Sequence, residues 1–205
     1  MLPAQAVCFD LGGVLIRIHH TWDEALAASG VIPANPRDGI GRLDGMSEFG
    51  EFQRGGITAE EYLEALANHL GGMSSSKALA VHEAILREPY PGADRLVRDA
   101  KESGAVVGCL SNTDEVHWAT FFEGGRYAFG PLLSVRIGSH MVRASKPDAE
   151  IYRAFEAGSG LRGGSIVYFD DGSANVDAAL ELGWRAHLVD PLGDTAAQIR
   201  RCLAV

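Results

Sequence analysis

Ala6-Val-Cys-Phe-Asp10-Leu-Gly-Gly13 is four apolar residues running into an acid and a glycine turn, and the rest of the chain repeats its design. A strand buried on both faces of a parallel sheet reads as a short unbroken apolar run rather than as an alternation. The pattern returns at Ala105–Leu110 (AVVGCL), followed by Ser111-Asn112, and at Ile166–Phe169 (IVYF), followed by Asp170-Asp171. Trp184–Val189 and the weaker Leu132–Ile137 bring the strands to five. Between them, Asp94–Ser103, Asp114–Phe122, Asp148–Ala157 and Ala174–Leu182 carry apolar residues at three-to-four spacing, the period of an amphipathic helix. Gly104 and Gly183 stand where helices end on a left-handed residue. Strand–helix alternation implies an α/β, Rossmann-like core: a parallel five-stranded sheet with helices on both faces.

Residues 17–86 read differently, with helical stretches and no strand-like run. Thr58-Ala-Glu-Glu61 is a capping box that launches Tyr62, Leu63, Leu66 and Leu70 along one face. Ser76 to Leu86 reads as a second helix, and Trp22–Ala28 and Met46–Phe52 as two more. Pro89 and Pro91 mark the return to the core. The expected organisation is therefore a core of residues 1–16 and 87–205 carrying a small all-helical cap, 17–86, inserted after strand one.

A chain of 205 residues has room for one such domain and its insert. Lys plus Arg number 18 against 27 for Asp plus Glu, a net charge of −9. That balance gives no electrostatic footprint for nucleic acid or an anionic membrane, and neither is expected as a partner. No apolar run approaches a membrane span. Cys8, Cys109 and Cys202 form no CxxC pair, and the N-terminus has no basic region of a secretory signal, which fits a reducing cytoplasm.

Several motifs fail on context. Gly158-Ser-Gly-Leu-Arg-Gly163 matches GxGxxG, but a helix precedes it and a strand follows, the reverse of a dinucleotide-binding turn. It reads as a loop. The chain has no GxxxxGK[ST], no HExxH and no GxSxG.

One constellation survives. In a parallel sheet, ligands gather at the carboxyl ends of the strands. Those ends supply Asp10, Ser111, Asn112, Asp170 and Asp171, and Lys146-Pro147 precedes the helix leading to the fourth of the five strands. Three carboxylates are hard oxygen donors of the kind that hold Mg²⁺. The lysine, hydroxyl and amide suit a phosphoryl group. A carboxylate in such a setting can attack phosphorus. His19 and His20 lack partners at metal-ligand spacing and read as exposed residues of the insert. His117 reads equally as a helix-surface residue or as one near the Ser111 loop. Trp22, Phe49, Phe52 and Tyr62 read first as core of the insert and second as a substrate-facing wall.

Phe9–Leu15 (FDLGGVL), Leu110–Thr113 (LSNT), Lys146-Pro147 and Phe169–Asn175 (FDDGSAN), in this order, resemble the four motifs of the haloacid dehalogenase superfamily of aspartate-nucleophile hydrolases. The insert is similar to that family's C1-type cap. The run SNTxxxH ending at His117 and the segment GGITAEEY most resemble the epoxide-hydrolase-like branch that includes bacterial α-D-glucose-1-phosphate phosphatase. The resemblance implies a Mg²⁺-dependent phosphatase acting on a small phosphorylated metabolite, a sugar phosphate, through an aspartyl phosphate. It makes Asp10 the nucleophile. Asp10, the Gly12 carbonyl and Asp171 become metal ligands, with Asp170 a ligand or a partner through water. Ser111, Asn112 and Lys146 hold the phosphoryl group, with Asn175 in support.

The family's usual acid/base is an Asp two residues past the nucleophile, where this chain has Gly12. General acid–base help is worth about 10² to 10⁴ in rate. Its absence implies a preference for substrates with good leaving groups, such as sugar 1-phosphates or acyl phosphates, and slow hydrolysis of the aspartyl phosphate. The branch includes members with Gly at this position. Two alternatives stand beside this reading: a non-catalytic phosphate- or partner-binding protein, and a metal-independent dehalogenase in which Asp10 attacks carbon. A receiver domain orders its acids and lysine differently.

Overall fold

The computed structural model describes residues 4–36 and 39–203. Residues 1–3 and 204–205 of the expected core and 37–38 of the expected cap lie outside them. Its strands are β1 (Ala6–Phe9), β2 (Ile16–Ile18), β3 (Leu86–Pro89), β4 (Val106–Ser111), β5 (Val135–Gly138), β6 (Ile166–Asp170) and β7 (Arg185–Leu188). Its helices in the first half are α1 (Trp22–Ser29), α2 (Ser47–Gln53), α3 (Ala59–His69), α4 (Ser75–Glu83) and α5 (Ala93–Glu102). The second half adds α6 (Glu115–Phe122), α7 (Ser139–Val142), α8 (Ala149–Ser159), α9 (Ser173–Glu181) and α10 (Thr195–Leu203).

Five strands form one parallel sheet in the order β5-β4-β1-β6-β7. The strand alternation fills both sides. Val7, Phe9, Val107, Cys109, Val167 and Phe169 enter one apolar cluster, while Ala6, Cys8, Leu110, Ile166 and Tyr168 enter the other. This is the expected α/β architecture; four of the five strands lie within a residue or so of their apolar runs, and β5 starts three residues inside the weaker Leu132–Ile137 run, whose first residue belongs to a 3-10 turn. Gly104 and Gly183 take left-handed φ values after α5 and α9, as helix-ending glycines do.

Between β2 and β3, helices α1 to α4 build a core of their own around Trp22, Phe49, Phe52, Tyr62, Leu66 and Val81. Thr58 accepts from the Glu61 amide, and the Glu61 carboxylate accepts from the Thr58 amide, completing the capping box. A second box, unmarked in the sequence reading, joins Thr21 to Glu24 at the start of α1.

Two differences concern the insert's ends. β2 and β3 form an antiparallel pair, tied by Arg17–Glu88 at 3.0 Å. Strands this short, one ending in proline, carry no readable periodicity. Leu86 accordingly belongs to β3, and α4 stops at Glu83. Helix α10 has no counterpart among the expected helices.

Candidate active site

The site assembles at the carboxyl ends of β1, β4 and β6. The Asp10 amide donates to Phe169 O at 2.9 Å, which fixes the residue just beyond β1. Its Oδ1 accepts from the Leu11 amide at 2.7 Å. The chain then turns sharply, with the Leu15 and Ile16 amides both donating to Leu11 O. Gly13 sits in this turn at φ +76°, and a β-carbon there would lie 2.2 Å from Oδ2 of Asp171. Glycine is what lets the turn and the second acid of the pair approach each other.

Asp170, the last residue of β6, is completely buried and fully engaged. Oδ1 accepts from the Gly172 amide at 2.7 Å and from Asn175 Nδ2 at 2.9 Å. Oδ2 accepts from Lys146 Nζ at 2.7 Å and from the Tyr168 hydroxyl. Tyr168 is the site residue the sequence reading passed over. It lies two positions before Asp170, and the two-residue period of a strand puts both on one face.

Lys146 is 6% exposed, with its Nζ 2.9 Å from Asp10 Oδ2 as well as 2.7 Å from Asp170. Asn112 holds the Lys146 backbone from both sides: Lys146 N donates to Asn112 Oδ1 at 2.8 Å, and Asn112 Nδ2 donates to Lys146 O at 3.1 Å. Much of the Asn112 amide is thereby used for holding the lysine. Ser111 closes β4 and is buried. Asn175 supports Asp170 directly.

The electrostatics separate the three acids. Burial raises the Asp10 pKa; Lys146 offsets part of this and the facing carboxylates of Asp170 and Asp171 add to it, so it is pushed up to about 7. Asp171 is also raised, by burial and by Asp170. Burial works against the charge on Asp170 too, but Lys146 and its hydrogen bonds hold its carboxyl below the usual range. Lys146 stays charged because Asp10 and Asp170 overcome the cost of burying it. Carboxylate oxygens of Asp10, Asp170 and Asp171 lie within 4.8 Å of one another. The set has more negative charge than one ammonium neutralises and only hard oxygen donors, which fits a divalent cation such as Mg²⁺.

Of the other residues singled out, Trp22, Phe49, Phe52 and Tyr62 are buried in the insert's own core. His20 is exposed. His117 is buried, against a helix-surface position, and it stacks on His82 with ring centroids 3.9 Å apart. Gly158–Gly163 spans the end of α8 and the turn into β6, so it is a connection, as its order required. Among the described residues, no helix is long and apolar enough to cross a membrane.

The profile of the haloacid dehalogenase-like hydrolases matches residues 4–183. The chain is 30% identical over 213 residues to a phosphatase of Mycobacterium tuberculosis, MT3486, covering 99% of this chain and 95% of that one. A HAD-like hydrolase of Porphyromonas gingivalis superposes with a TM-score of 0.81 at 22% identity, over 98% of each chain. The HAD family enzyme BT-2542 of Bacteroides thetaiotaomicron, in complex with magnesium and inorganic phosphate, superposes with a TM-score of 0.77 at 22% identity. That alignment covers 93% of this chain and 96% of that one.

Proposed function

The chain belongs to the haloacid dehalogenase-like hydrolases, and from that premise we propose that it is a Mg²⁺-dependent phosphatase of a small phosphorylated metabolite, a sugar phosphate. One observation carries the reading: Lys146 bridges Asp10 and Asp170, while among the described residues the Asp171 carboxylate, beside Gly13, is hydrogen-bonded only to its own backbone. Such a site has a carboxylate for attack, a fixed cation for phosphoryl charge and an open acid for a metal.

In this reading an Asp10 oxygen attacks phosphorus, the P–O bond to the leaving group breaks, and water then cleaves the aspartyl phosphate. Lys146 and the Ser111 hydroxyl offset charge on the phosphoryl oxygens. Asp10, Asp171 and the Gly12 carbonyl would hold Mg²⁺, which would supply Lewis-acid neutralisation of the phosphate. Asp170 acts on the metal side through its neighbours, its lone pairs being taken already. Residues 17–86 act as a cap that shields the site and reads the leaving group.

Gly12 bears on substrate choice. The space beside it holds the Ile18 side chain, whose Cδ1 would be 3.2 Å from a β-carbon at position 12. An apolar group there donates no proton, which favours sugar 1-phosphates and acyl phosphates over alkyl phosphates.

Phosphate release from a panel of sugar phosphates and p-nitrophenyl phosphate, with Mg²⁺ and with EDTA, tests this beside Asp10→Asn. Metal-dependent release that the substitution abolishes is the expected result. A panel with no release above that control would overturn the reading in favour of a binding role.

A further inference from the structure

A second cluster of titratable groups lies away from the Asp10 site, where the helical insert meets the core. Tyr62 (α3), His82 (α4), Asp114 (the residue capping α6) and His117 (α6) are all buried, none more than 4% exposed. The His82, Asp114 and His117 donor atoms lie within 4.8 Å of one another, yet the arrangement does not suit a metal. The two imidazoles stack with planes 8° apart, so their in-plane lone pairs run parallel and do not converge on one ion.

Hydrogen-bond accounting assigns the protons instead. Asp114 Oδ1 accepts from the Val116 and His117 amides, at 3.1 and 3.0 Å, and lies 3.1 Å from His82 Nε2. Oδ1 already takes two amide donors and has no proton to give, so His82 Nε2 is the donor of this contact and carries a proton, and three donors on one oxygen hold the carboxyl as an anion. The Tyr62 hydroxyl is 2.8 Å from His82 Nδ1. A buried hydroxyl needs an acceptor, so Nδ1 is bare and His82 is neutral. His117 Nε2 is 2.9 Å from His82 O and must donate to it. His117 Nδ1 is 3.2 Å from Asp114 Oδ2, near enough for an ion pair though off the line of a hydrogen bond. A bare Nδ1 would set a lone pair against a carboxylate oxygen that has no hydrogen-bond donor. Protonation removes that repulsion and gives buried Asp114 its counter-charge.

We propose that Tyr62, His82, Asp114 and His117 form a positioning device that locks the helical insert to the helix following Ser111 and Asn112, and that it holds only while the His117 ring is an imidazolium. Asp114 stands three residues after Ser111 and fixes the start of α6, while His117 grips the backbone of α4. A second tie runs nearby, where Ser139 Oγ accepts from the Thr113 amide at 2.8 Å and donates to Gln53 O, 2.6 Å away at the end of α2. The phosphate-side loop is thus held between core and insert.

The charges around His117 favour its proton. Burial opposes the charge, but Asp114, the bond to the His82 carbonyl and Glu83 of α4 together outweigh it, and the pKa lies above the ordinary value. Burial and the neighbouring His117 charge keep His82 below it. Asp114 is held far below the carboxylate range by the two histidines, against its burial. A raised histidine contributes stability that is complete below its unfolded pKa and is lost as pH rises through the folded one. The alkaline limit therefore belongs to His117, and the acid limit to His82 and Asp114.

Long-range ¹H–¹⁵N imidazole spectra of the full chain, wild type and Asp114→Asn, test the assignment. Asn caps a helix as well as Asp, so the variant removes the charge and keeps the cap. At neutral pH the wild type should show His117 protonated on both nitrogens and His82 neutral with its proton on Nε2; in the variant His117 should be neutral. As His117 titrates, kcat for phosphate release should fall about two- to thirtyfold, and Asp114→Asn should lack that alkaline limb. A neutral His117 in the wild type, or an alkaline limb unchanged in the variant, overturns the proposal. Should the variant fail to fold, mismatch between the wild type's spectral and kinetic titrations does so. The effect on turnover rests on the phosphatase reading, but the protonation pattern does not. A wild type that releases no phosphate counts against that reading alone; the lock is then judged by melting, where Asp114→Asn must remove the alkaline loss of stability.

Discussion

A β-carbon placed on Gly12 would stand 3.2 Å from Cδ1 and 3.4 Å from Cγ2 of Ile18. The slot two residues past Asp10 is filled by a hydrocarbon from the end of β2. An acid introduced there must first displace it.

Leaving-group dependence follows from that contact. Phosphate release should fall steeply as the leaving group becomes more basic, because no acid stands over it. Gly12→Asp alone should gain little, whereas Gly12→Asp with Ile18→Ala should raise alkyl phosphate turnover on the order of 10²-fold. A series of aryl and alkyl phosphates measures the slope. A shallow slope in the wild type would remove the role assigned to Ile18.

Gly13→Ala should cripple the site while leaving the sheet intact. The residue needs φ +76°, and its new methyl would meet Asp171 Oδ2 at 2.2 Å. Backbone strain of this kind costs roughly 1–3 kcal/mol. The larger effect is displacement of Asp171, expected as a weakened Mg²⁺ dependence in a metal titration of activity. Unaltered metal affinity would separate Asp171 from the metal.

Metal and pH should be linked through Asp10. Its pKa rises from 3.8 to about 7 on folding without metal. The folded state then binds the proton more tightly than the unfolded chain, so metal-free stability should decline as pH climbs through that interval. Asp170, held low, acts oppositely and loses its contribution as pH falls. A cation needs Asp10 ionised, so the rise in Tm on adding Mg²⁺ should be larger near neutral pH than near pH ~5. Equal shifts at both would contradict this.

Asn112→Ala should loosen Lys146 without touching its ammonium. The substitution deletes both bonds to the Lys146 backbone and leaves that N–H and carbonyl to find other partners. Unmet buried groups cost about 1–3 kcal/mol each. Melting should show a loss of that order, with a raised KM for phosphate substrates. A KM like that of the wild type would confine Asn112 to stability.

Much of this was legible in the chain. Unbroken apolar runs identify strands buried on both faces, since such strands need no alternation, and the polar residues just beyond them name the rim where Asp10, Ser111 and Asp170 stand. Thr58–Glu61 announces its helix because a capping box is a local arrangement. Tyr168 was also within reach, on the face its two-residue spacing from Asp170 dictates.

Other features required the folded molecule. The β2–β3 pair is too short to have a period, and its strands are separated by the whole insert. The different duties of Asp170 and Asp171 depend on which oxygens Lys146, Tyr168 and Asn175 reach. His82 stacked on His117 is a contact between segments distant in the chain, and Ile18 reaches Gly12 only because the chain doubles back through the turn between them. Composition and periodicity report what each segment does to its own backbone. Protonation states and slot fillings depend on distances across the fold, so only the tertiary structure decides them.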